Sequence, residues 1–281
     1  MSRSVHPLTP TIGAEIDGVD LDRDLDAGTV AWLRQALLDH LVLFFRDQVL
    51  TPEAHIRLAR AFGEIELPAF RTAGMERPEI LVLDTDAPKG QGTDRWHADA
   101  SQREAPPMGS ILRAVQLPDS GGDTCFASMY AAYESLSAPM QAFIDGLTAV
   151  NTDAMIAAWT AERAGVTVDR VTGAAESVHP VVRVHPETGR KLLNVNGNWT
   201  SRIVELSDAE SRAVLDVLFA AVRSPDIQCR FRWTPNAVAF WDNRAVQHYA
   251  IADYSQRRLM QRITIAGDRP VGPNDRLRAS S

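Results

Sequence analysis

The sequence predicts a mainly β fold with flanking helices, arranged as an antiparallel sandwich that carries the helices on its outside. In the second two thirds of the chain, apolar and polar residues alternate with a period of two in several short runs, which is typical of half-buried strands. Turn sequences at residues 118–122 and 186–189 separate such runs. A doubly wound parallel sheet would need strands and helices in regular alternation, and the sequence lacks that order.

Four helices are predicted from a capping residue followed by apolar residues at helical spacing. The capping residues are, in chain order, Asp26, Thr51, Ser137 and Ser207. The last of them opens a capping box with Glu210. In the third helix we expect an inward face made of Met140, Phe143, Ile144 and Leu147.

Four strands are predicted from the alternating runs. They cover residues 111–115, 228–233, 238–241 and 259–265. Because residues two apart on a strand project from the same face, each run is expected to bury one side and expose the other. Together with the turn sequences between them, these runs favour the sandwich.

The composition limits the classes of partner. The 281 residues contain 29 Lys and Arg against 36 Asp and Glu, a net charge of −7, which argues against nucleic acid because such binding needs a basic surface. No apolar run approaches the length of a membrane span, and the N-terminus lacks the apolar core of a signal peptide. We therefore expect a cytoplasmic protein with no membrane partner, and we interpret Cys125 and Cys229 as reduced and buried.

The chain is predicted to form one domain over residues 1–267, followed by a flexible tail over residues 268–281. No internal break in composition suggests two domains. The last residues contain prolines, arginines and little apolar surface to bury. A homo-oligomer, a dimer or a tetramer, is expected.

His97 and Asp99 are candidate metal ligands. They are two residues apart, so on a strand their side chains project from one face. A further histidine would complete the facial triad of two histidines and one carboxylate that holds non-haem Fe(II) with open positions. By itself the pair is also typical of a salt-bridged surface pair.

The second half of the chain strengthens the metal hypothesis. The strand that includes residues 240–241 runs into a turn and reaches His248, and Arg258 and Arg262 follow. A guanidinium stays charged and grips a carboxylate through two hydrogen bonds, as a dicarboxylate co-substrate would require.

With these motifs, the sequence resembles the Fe(II)- and 2-oxoglutarate-dependent taurine and 2,4-dichlorophenoxyacetate dioxygenase family, TauD/TfdA. The resemblance covers nearly the whole chain in order. Its motifs are residues 96–99, 121–124 and 241–244 with His248, and residues 257–258 with Arg262. It implies a double-stranded β-helix, the jelly-roll variant of the clavaminate-synthase-like type, with helices packed outside.

The resemblance also implies the roles of particular residues. His97, Asp99 and His248 would be the catalytic iron ligands, and Arg258 and Thr124 would bind the distal carboxylate of 2-oxoglutarate. O2 would take the remaining iron position, and turnover would release succinate and CO2 while hydroxylating a C–H bond. Relatives that halogenate carry a small residue in place of the carboxylate, so Asp99 favours hydroxylation.

The remaining histidines and acidic turn residues receive plainer interpretations. His6 and His55 are expected to be solvated, and His40 to end the first helix. His179 and His185 are expected to flank a strand without binding metal. Asp123 and Asp242 are expected to bond the backbone of their turns, and Arg257 to lie at the surface.

The resemblance is weakest at the prime substrate. Arg262 matches the position that meets the substrate's anionic end, but Leu67 or Glu66 replaces the histidine that contacts sulfonate in taurine dioxygenases. Phe70 occupies the position of a tyrosine in the taurine site, and Thr93 occupies the position of an asparagine that helps to bind the amine. We therefore expect a small anionic substrate with an apolar body, an alkyl sulfate, longer sulfonate or aryloxyalkanoate, between Trp199 and Phe70.

Three alternatives stay open. The first is a taurine dioxygenase proper, which would release sulfite from taurine. The second is a metallohydrolase holding Zn with the same three ligands, although it would have no use for Arg258 and Thr124. The third is a jelly-roll protein that binds a metal or ligand without catalysis.

Overall fold

The structure is a computed structural model that describes residues 2–68, 77–85, 94–154 and 175–275. In those ranges the chain is strand-rich with flanking helices. The helices are α1 (Ala27–His40), α2 (Pro52–Phe62), α3 (Met129–Glu134), α4 (Ala138–Ile144) and α5 (Asp208–Ala221). No helix in these ranges is both long and apolar enough to cross a bilayer.

The strands of the first half are β1 (Ser4–Pro7), β2 (Ala14–Asp17), β3 (Val42–Phe45), β4 (Ile65–Glu66), β5 (Leu81–Thr85), β6 (Gly109–Gln116), β7 (Thr124–Ser128) and β8 (Thr148–Thr152). Those of the second half are β9 (Glu176–Pro180), β10 (Val182–Val184), β11 (Lys191–Leu193), β12 (Thr200–Ile203), β13 (Gln228–Phe231), β14 (Val238–Asp242), β15 (Val246–Ala250) and β16 (Arg258–Ile265). All four predicted strands are present as β6, β13, β14 and β16.

Two sheets position the functional side chains. The larger, of eight strands, has the order β1-β2-β3-β14-β6-β16-β4, with β5 also pairing with β16. A three-stranded sheet has the order β13-β7-β15, and smaller sheets join β12-β8-β9 and β10-β11. The pairs are antiparallel, as predicted, apart from the parallel pair β2–β3.

The core has two parts because the central strand β14 is buried on both faces. Ala239 and Trp241 belong to a cluster shared with β7 and β13, whereas Val238 and Phe240 belong to one shared with α1 and α2. Phe44 joins the two sheets by stacking on Phe231 with ring centroids 4.0 Å apart. One face of the large sheet is therefore covered by the small sheet, and the other by helices.

The predicted helices begin where their capping residues indicate. Asp26, Thr51, Ser137 and Ser207 each accept a hydrogen bond from the backbone N–H three residues on. The inward face predicted for the third helix is wrong at Phe143, which is 46% exposed, because α4 ends one residue later and packs on the core mainly through Ile144.

Two other predictions are corrected by burial. His55 was expected to be solvated, but it lies on the inner face of α2 and is fully buried, and its Nε2 lies 3.1 Å from Ile111 O. Cys229 is buried as predicted, whereas Cys125 is only half-buried, and both are free thiols. His40 ends α1 as expected, and His6 is exposed.

The boundary between a domain over residues 1–267 and a tail stays a prediction. The tail is described as far as residue 275. There Asp268 pairs with the Arg183 guanidinium at 2.7 Å, and Val271 O accepts a hydrogen bond from Val184 N at 2.8 Å.

Candidate active site

His97, Asp99 and His248 come together between the two sheets. His97 forms an isolated β-bridge with His248 on β15, each backbone N–H donating to the other's carbonyl, at 3.1 and 2.8 Å. The Asp99 Oδ1 atom lies 3.9 Å from His97 Nε2 and 3.8 Å from His248 Nε2. One ligand atom from each residue lies within 4.8 Å of the others, so the predicted triad is present.

The protonation of the three groups suits a metal. Burial lowers the pKa of both histidines, that of His248 to about 3 with the help of the neighbouring His97. Burial raises the pKa of Asp99, but Arg262 and the two histidines outweigh it and hold that pKa below its usual range. Two neutral imidazoles and one carboxylate are the forms that ligate a divalent ion.

The tautomer of His97 also suits a metal. Its Nδ1 lies 2.7 Å from Arg95 O, and since a carbonyl only accepts, Nδ1 carries the proton. Nε2, which lies 3.9 Å from Asp99 Oδ1, then carries the free lone pair. A backbone acceptor on the other ring nitrogen is the usual way in which a metal-binding histidine is oriented.

Asn243 fixes the backbone around Asp99. Its Oδ1 accepts a hydrogen bond from Asp99 N at 2.7 Å, and its Nδ2 donates to Asp99 O at 3.0 Å and Pro107 O at 3.2 Å. Residues 241–244 are part of the predicted motif, but no role was predicted for Asn243 itself. Its position in the turn that leads to His248 could have indicated one.

The neighbours of Asn243 form a buried ionic network. Asp242 accepts hydrogen bonds from the backbone N–H and the guanidinium of Arg244, at 3.0, 2.9 and 2.7 Å, so its predicted turn bond is confirmed. The His185 Nε2 lies 3.0 Å from Asp242 Oδ2. His185 is thus a buried partner of that carboxylate, away from the triad.

A cavity beside His248 contains the residues expected to bind 2-oxoglutarate. Thr124, Arg258 and Tyr254 line it, together with Leu112 and Trp241. Arg258 is 6% exposed, and within the described ranges its Nε and Nη2 have no hydrogen-bond partner. A buried guanidinium with free donors is costly unless an anion pairs with it, so this site fits a carboxylate guest.

Thr124 and Gly122 shape the same cavity. Thr124 Oγ1 accepts a hydrogen bond from Trp233 Nε1 at 3.0 Å, which leaves the hydroxyl proton free to donate. Gly122 has a φ of 72°, and a Cβ there would lie 3.1 Å from Arg258 Cδ. The positive φ favours glycine here, and a Cβ would also force the Arg258 side chain to shift by a few tenths of an ångström.

Arg262 lies between this cavity and a second one. Its Nη1 donates to Asp99 Oδ1 at 2.7 Å, while Ser110 Oγ donates to Asp99 Oδ2 at 3.1 Å. Arg262 lines both cavities. Sequence reasoning expected it at the substrate's anion and did not foresee its bond to the metal ligand.

The second cavity contains some of the expected substrate residues. Leu67 and Trp199 line it with Asp99 and Arg262, and Trp199 is anchored by its Nε1, which donates to Ala98 O at 2.9 Å. Phe70 and Thr93 lie outside the described residues. Gln102 and Arg103 also line the cavity, and sequence reasoning missed both.

The other polar residues keep to structural roles. Asp123 Oδ2 lies 2.7 Å from Arg230 Nε, so the two side chains form an ion pair. The expected bond from the Asp123 side chain to the backbone of its turn is not among its described contacts. Arg257 lies at the surface as predicted, paired with Asp84. His179 is buried and its Nε2 lies 2.8 Å from Arg103 O.

The triad and the adjoining carboxylate site define a class of protein. Two neutral histidines and a carboxylate are the ligand set that holds non-haem iron on one face, and the buried arginine beside them has free donors that fit a carboxylate. The protein is a 2-oxoglutarate-dependent non-haem iron dioxygenase with His97, Asp99 and His248 as the metal triad.

Comparison with known proteins gives the family. Residues 4–264 match the family described as taurine catabolism dioxygenase TauD, TfdA family, and the chain belongs to it. An alpha-ketoglutarate-dependent sulfate ester dioxygenase of Pseudomonas putida is 39% identical, over 97% of this chain and 92% of that protein. An alkylsulfatase of Acinetobacter baylyi is 36% identical, over 95% and 86%.

A solved structure supports the same family assignment. The crystal structure of a putative alpha-ketoglutarate-dependent taurine dioxygenase from Burkholderia xenovorans superposes with a TM-score of 0.84 at 39% identity. The match covers 97% of this chain and 96% of that one. The strand-rich fold with flanking helices is thus that of this family.

Proposed function

We propose that this protein hydroxylates the carbon that bears the anionic group of a small sulfate ester or sulfonate. For a sulfate ester, hydroxylation of that carbon gives a hydroxy sulfate that collapses to an aldehyde and inorganic sulfate. The named activities of the Pseudomonas and Acinetobacter relatives support this substrate class. The reaction consumes 2-oxoglutarate and O2 and yields succinate and CO2.

The observation that carries the proposal is the position of Arg262. Its guanidinium contacts the metal ligand Asp99 and also lines the second cavity, whose wall includes Leu67 and Trp199. An anion held at Arg262 would therefore have its neighbouring carbon close to the metal, with an apolar body against the wall. Phe70 and Thr93 are proposed to complete this wall.

The chain's own residues bind and orient the reactants. His97, Asp99 and His248 would hold the iron, and Arg258 with the Thr124 hydroxyl would bind the distal carboxylate of 2-oxoglutarate. When bound, the iron and the keto acid together supply the oxidant for the C–H bond. Leu112 and Trp241 keep that cavity apolar outside its polar contacts, which strengthens the ion pair at Arg258.

The two facing sheets support the double-stranded β-helix expected for the fold, with the triad between them. Assembly into a dimer or tetramer and a cytoplasmic location stay predictions. Light scattering of the purified protein tests the assembly.

A taurine dioxygenase proper is the second candidate, and the name of the Burkholderia structure favours it. A panel of hexyl sulfate, phenoxyacetate and taurine, assayed for succinate, distinguishes the two. We expect hexyl sulfate to have the highest kcat/KM. Taurine ahead of the other two by about tenfold would reverse the assignment, because a site built to hydrogen-bond an amine rejects substrates that lack one.

A further inference from the structure

We propose that Gln102 and Arg103 join Arg262 to form an anion site with three donor side chains, which selects a head group with three terminal oxygens over a carboxylate. This inference rests on the proposed function and deepens it. All three side chains line the second cavity beside Asp99. Among the described lining residues, Arg262 faces both cavities, whereas Gln102 and Arg103 face the second cavity alone.

The turn after Asp99 places Gln102 and Arg103 at the cavity. Ala100 has a φ of 51°, in the left-handed region, and Arg103 N donates to Ala100 O at 3.1 Å. Arg103 O lies 2.8 Å from His179 Nε2. Because backbone atoms make these contacts, the side chains of Gln102 and Arg103 are not needed to hold the turn.

Gln102 offers a polar group that the protein itself does not use. Its Oε1 is buried and has no hydrogen-bond partner among the described residues. Turning the amide over presents Nε2, which donates two hydrogen bonds. A buried amide end without a partner is costly, and an anion in the cavity would supply the missing acceptor.

Arg103 and Arg262 add two guanidinium groups. Arg103 pairs with Glu66, which also lines the cavity, and its pKa is lowered first by burial and then by the charge of Arg262. The Nε of Arg262 is buried and unpartnered within the described ranges. Both guanidinium groups line the same cavity and can donate to an anion there.

The charges indicate a singly charged anion. Glu66 balances Arg103, and Asp99, which also ligates the metal, contacts Arg262. A sulfonate or sulfate monoester carries one negative charge over three terminal oxygens, so each of the three side chains can have its own acceptor. A carboxylate has one oxygen fewer and leaves one donor poorly placed.

The test compares hexanesulfonate with heptanoate, which share a hexyl tail and differ in head group. Binding to the Fe(II)–2-oxoglutarate holoenzyme is measured anaerobically by calorimetry. In the wild type, we expect hexanesulfonate to bind about tenfold or more tightly than heptanoate, since one well-made hydrogen bond to a charged group accounts for that factor.

Three variants locate the effect. Arg103→Met and Gln102→Met should each weaken hexanesulfonate binding by about tenfold and affect heptanoate less. Arg269→Met is the matched control, because Arg269 is an exposed arginine paired with Glu104, and it should bind both anions like the wild type. Two cavity variants are used so that the site can still be tested if one of them fails to fold.

Equal affinity of the wild type for the two anions, or no binding of either, would overturn the anion site. So would losses in both cavity variants no greater than that in Arg269→Met. Succinate formation with hexyl sulfate is measured separately. Its absence beside the expected binding pattern would count against the proposed reaction and leave the anion site supported.

Discussion

At the scale of single residues, the buried Arg258 is the clearest sign of a guest molecule. Its guanidinium is almost inaccessible, yet two of its nitrogen atoms lack a partner in the described part of the chain. Arg244 is also buried, but its guanidinium is bonded to Asp242 and Glu187.

Replacing Arg258 by methionine is therefore expected to weaken 2-oxoglutarate binding by more than about a hundredfold. The substitution keeps most of the stem but leaves the distal carboxylate without its counter-charge, and breaking a buried pair costs about 3–5 kcal/mol. The 2-oxoglutarate dependence of succinate release measures it. Arg257→Met is the control, since Arg257 is exposed and pairs with Asp84; equal effects would show that the wrong arginine has been assigned.

Asp99→Ala is expected to abolish turnover while leaving the fold intact. One ligand of three is lost, and because Asp99 lines the second cavity and not the apolar core, water can replace its carboxylate beside Arg262. Release of labelled CO2 from 2-oxoglutarate gives the activity, and circular dichroism checks the fold. Wild-type CO2 release from a folded Asp99→Ala protein would remove Asp99 from the metal site.

His55 predicts a pH dependence of stability. Burial lowers its pKa from 6.5 to about 4, against the smaller opposing effect of its hydrogen bond to Ile111. Between these two values the unfolded chain binds a proton that the folded chain does not, so the free energy of unfolding falls as the pH falls from 6.5 to 4. The free energy of unfolding falls by about 1.4 kcal/mol for each pH unit within this range. Above pH 6.5 none of it is lost, because both states are then neutral at His55.

Urea unfolding of wild type and His55→Gln over this range measures the effect. The stability difference between the two proteins should change by about 1.4 kcal/mol per pH unit in favour of the variant as the pH falls from 6 to 5. Above pH 7 it should be constant. Parallel pH profiles from pH 7 to 4.5 would show that His55 is not a buried neutral side chain.

The sequence predicted residues whose role depends on spacing, and missed those whose role depends on folding. His97 and Asp99 are two residues apart, a spacing that suits metal ligands. The charged guanidinium of Arg258, ten residues after His248, indicates that a carboxylate binds there. By contrast, the bond from Arg262 to Asp99 joins residues 163 apart. The burial of His55 could be foreseen only from the helical face it occupies.

At the scale of elements, capping chemistry made four helices predictable, because a cap is decided by side chains within three residues of it. α3 has only six residues and no apolar period to detect. The order of strands in the large sheet was not predictable either, since β3, β14, β6 and β16 come from distant parts of the chain. β14 is buried on both faces, so its sequence is a short apolar run.

The turn between β14 and β15 positions the metal ligand through Asn243. In Asn243→Asp, an oxygen replaces the amide nitrogen beside two carbonyl oxygens, Asp99 O and Pro107 O. We expect Fe(II) affinity to fall by about 10- to 100-fold, as for other side chains that orient metal ligands. Anaerobic Fe(II) titration gives the dissociation constant.

Gln141→Glu is the matched control for this substitution. Gln141 Nε2 likewise donates to two backbone carbonyls, Tyr133 O and Leu136 O, but it lies in the middle of α4 and makes no described contact with the triad. Its Fe(II) affinity should equal that of the wild type. The same loss in both variants would mean that Asn243 only stabilises the fold.

At the scale of the whole molecule, two sheets bring the site together from three strands and from the segment with His97 and Asp99, which His97 bridges to β15. β15 supplies His248, β7 supplies Thr124, and β16 supplies Arg258 and Arg262. The stacked pair Phe44 and Phe231 links the large sheet to the small one. Because β16 contributes to both cavities, one strand would hold both the co-substrate and the prime substrate under the proposed function.

The most direct test of the central claim is the visible absorption of the protein with Fe(II) and 2-oxoglutarate under anaerobic conditions. We expect a weak charge-transfer band in the wild type, because it requires the keto acid to chelate iron through two atoms. The same mixture with Asp99→Ala should lack it. A wild-type protein with both components at saturation and no band would contradict the account, since neither a zinc hydrolase nor a non-catalytic binding protein would produce one.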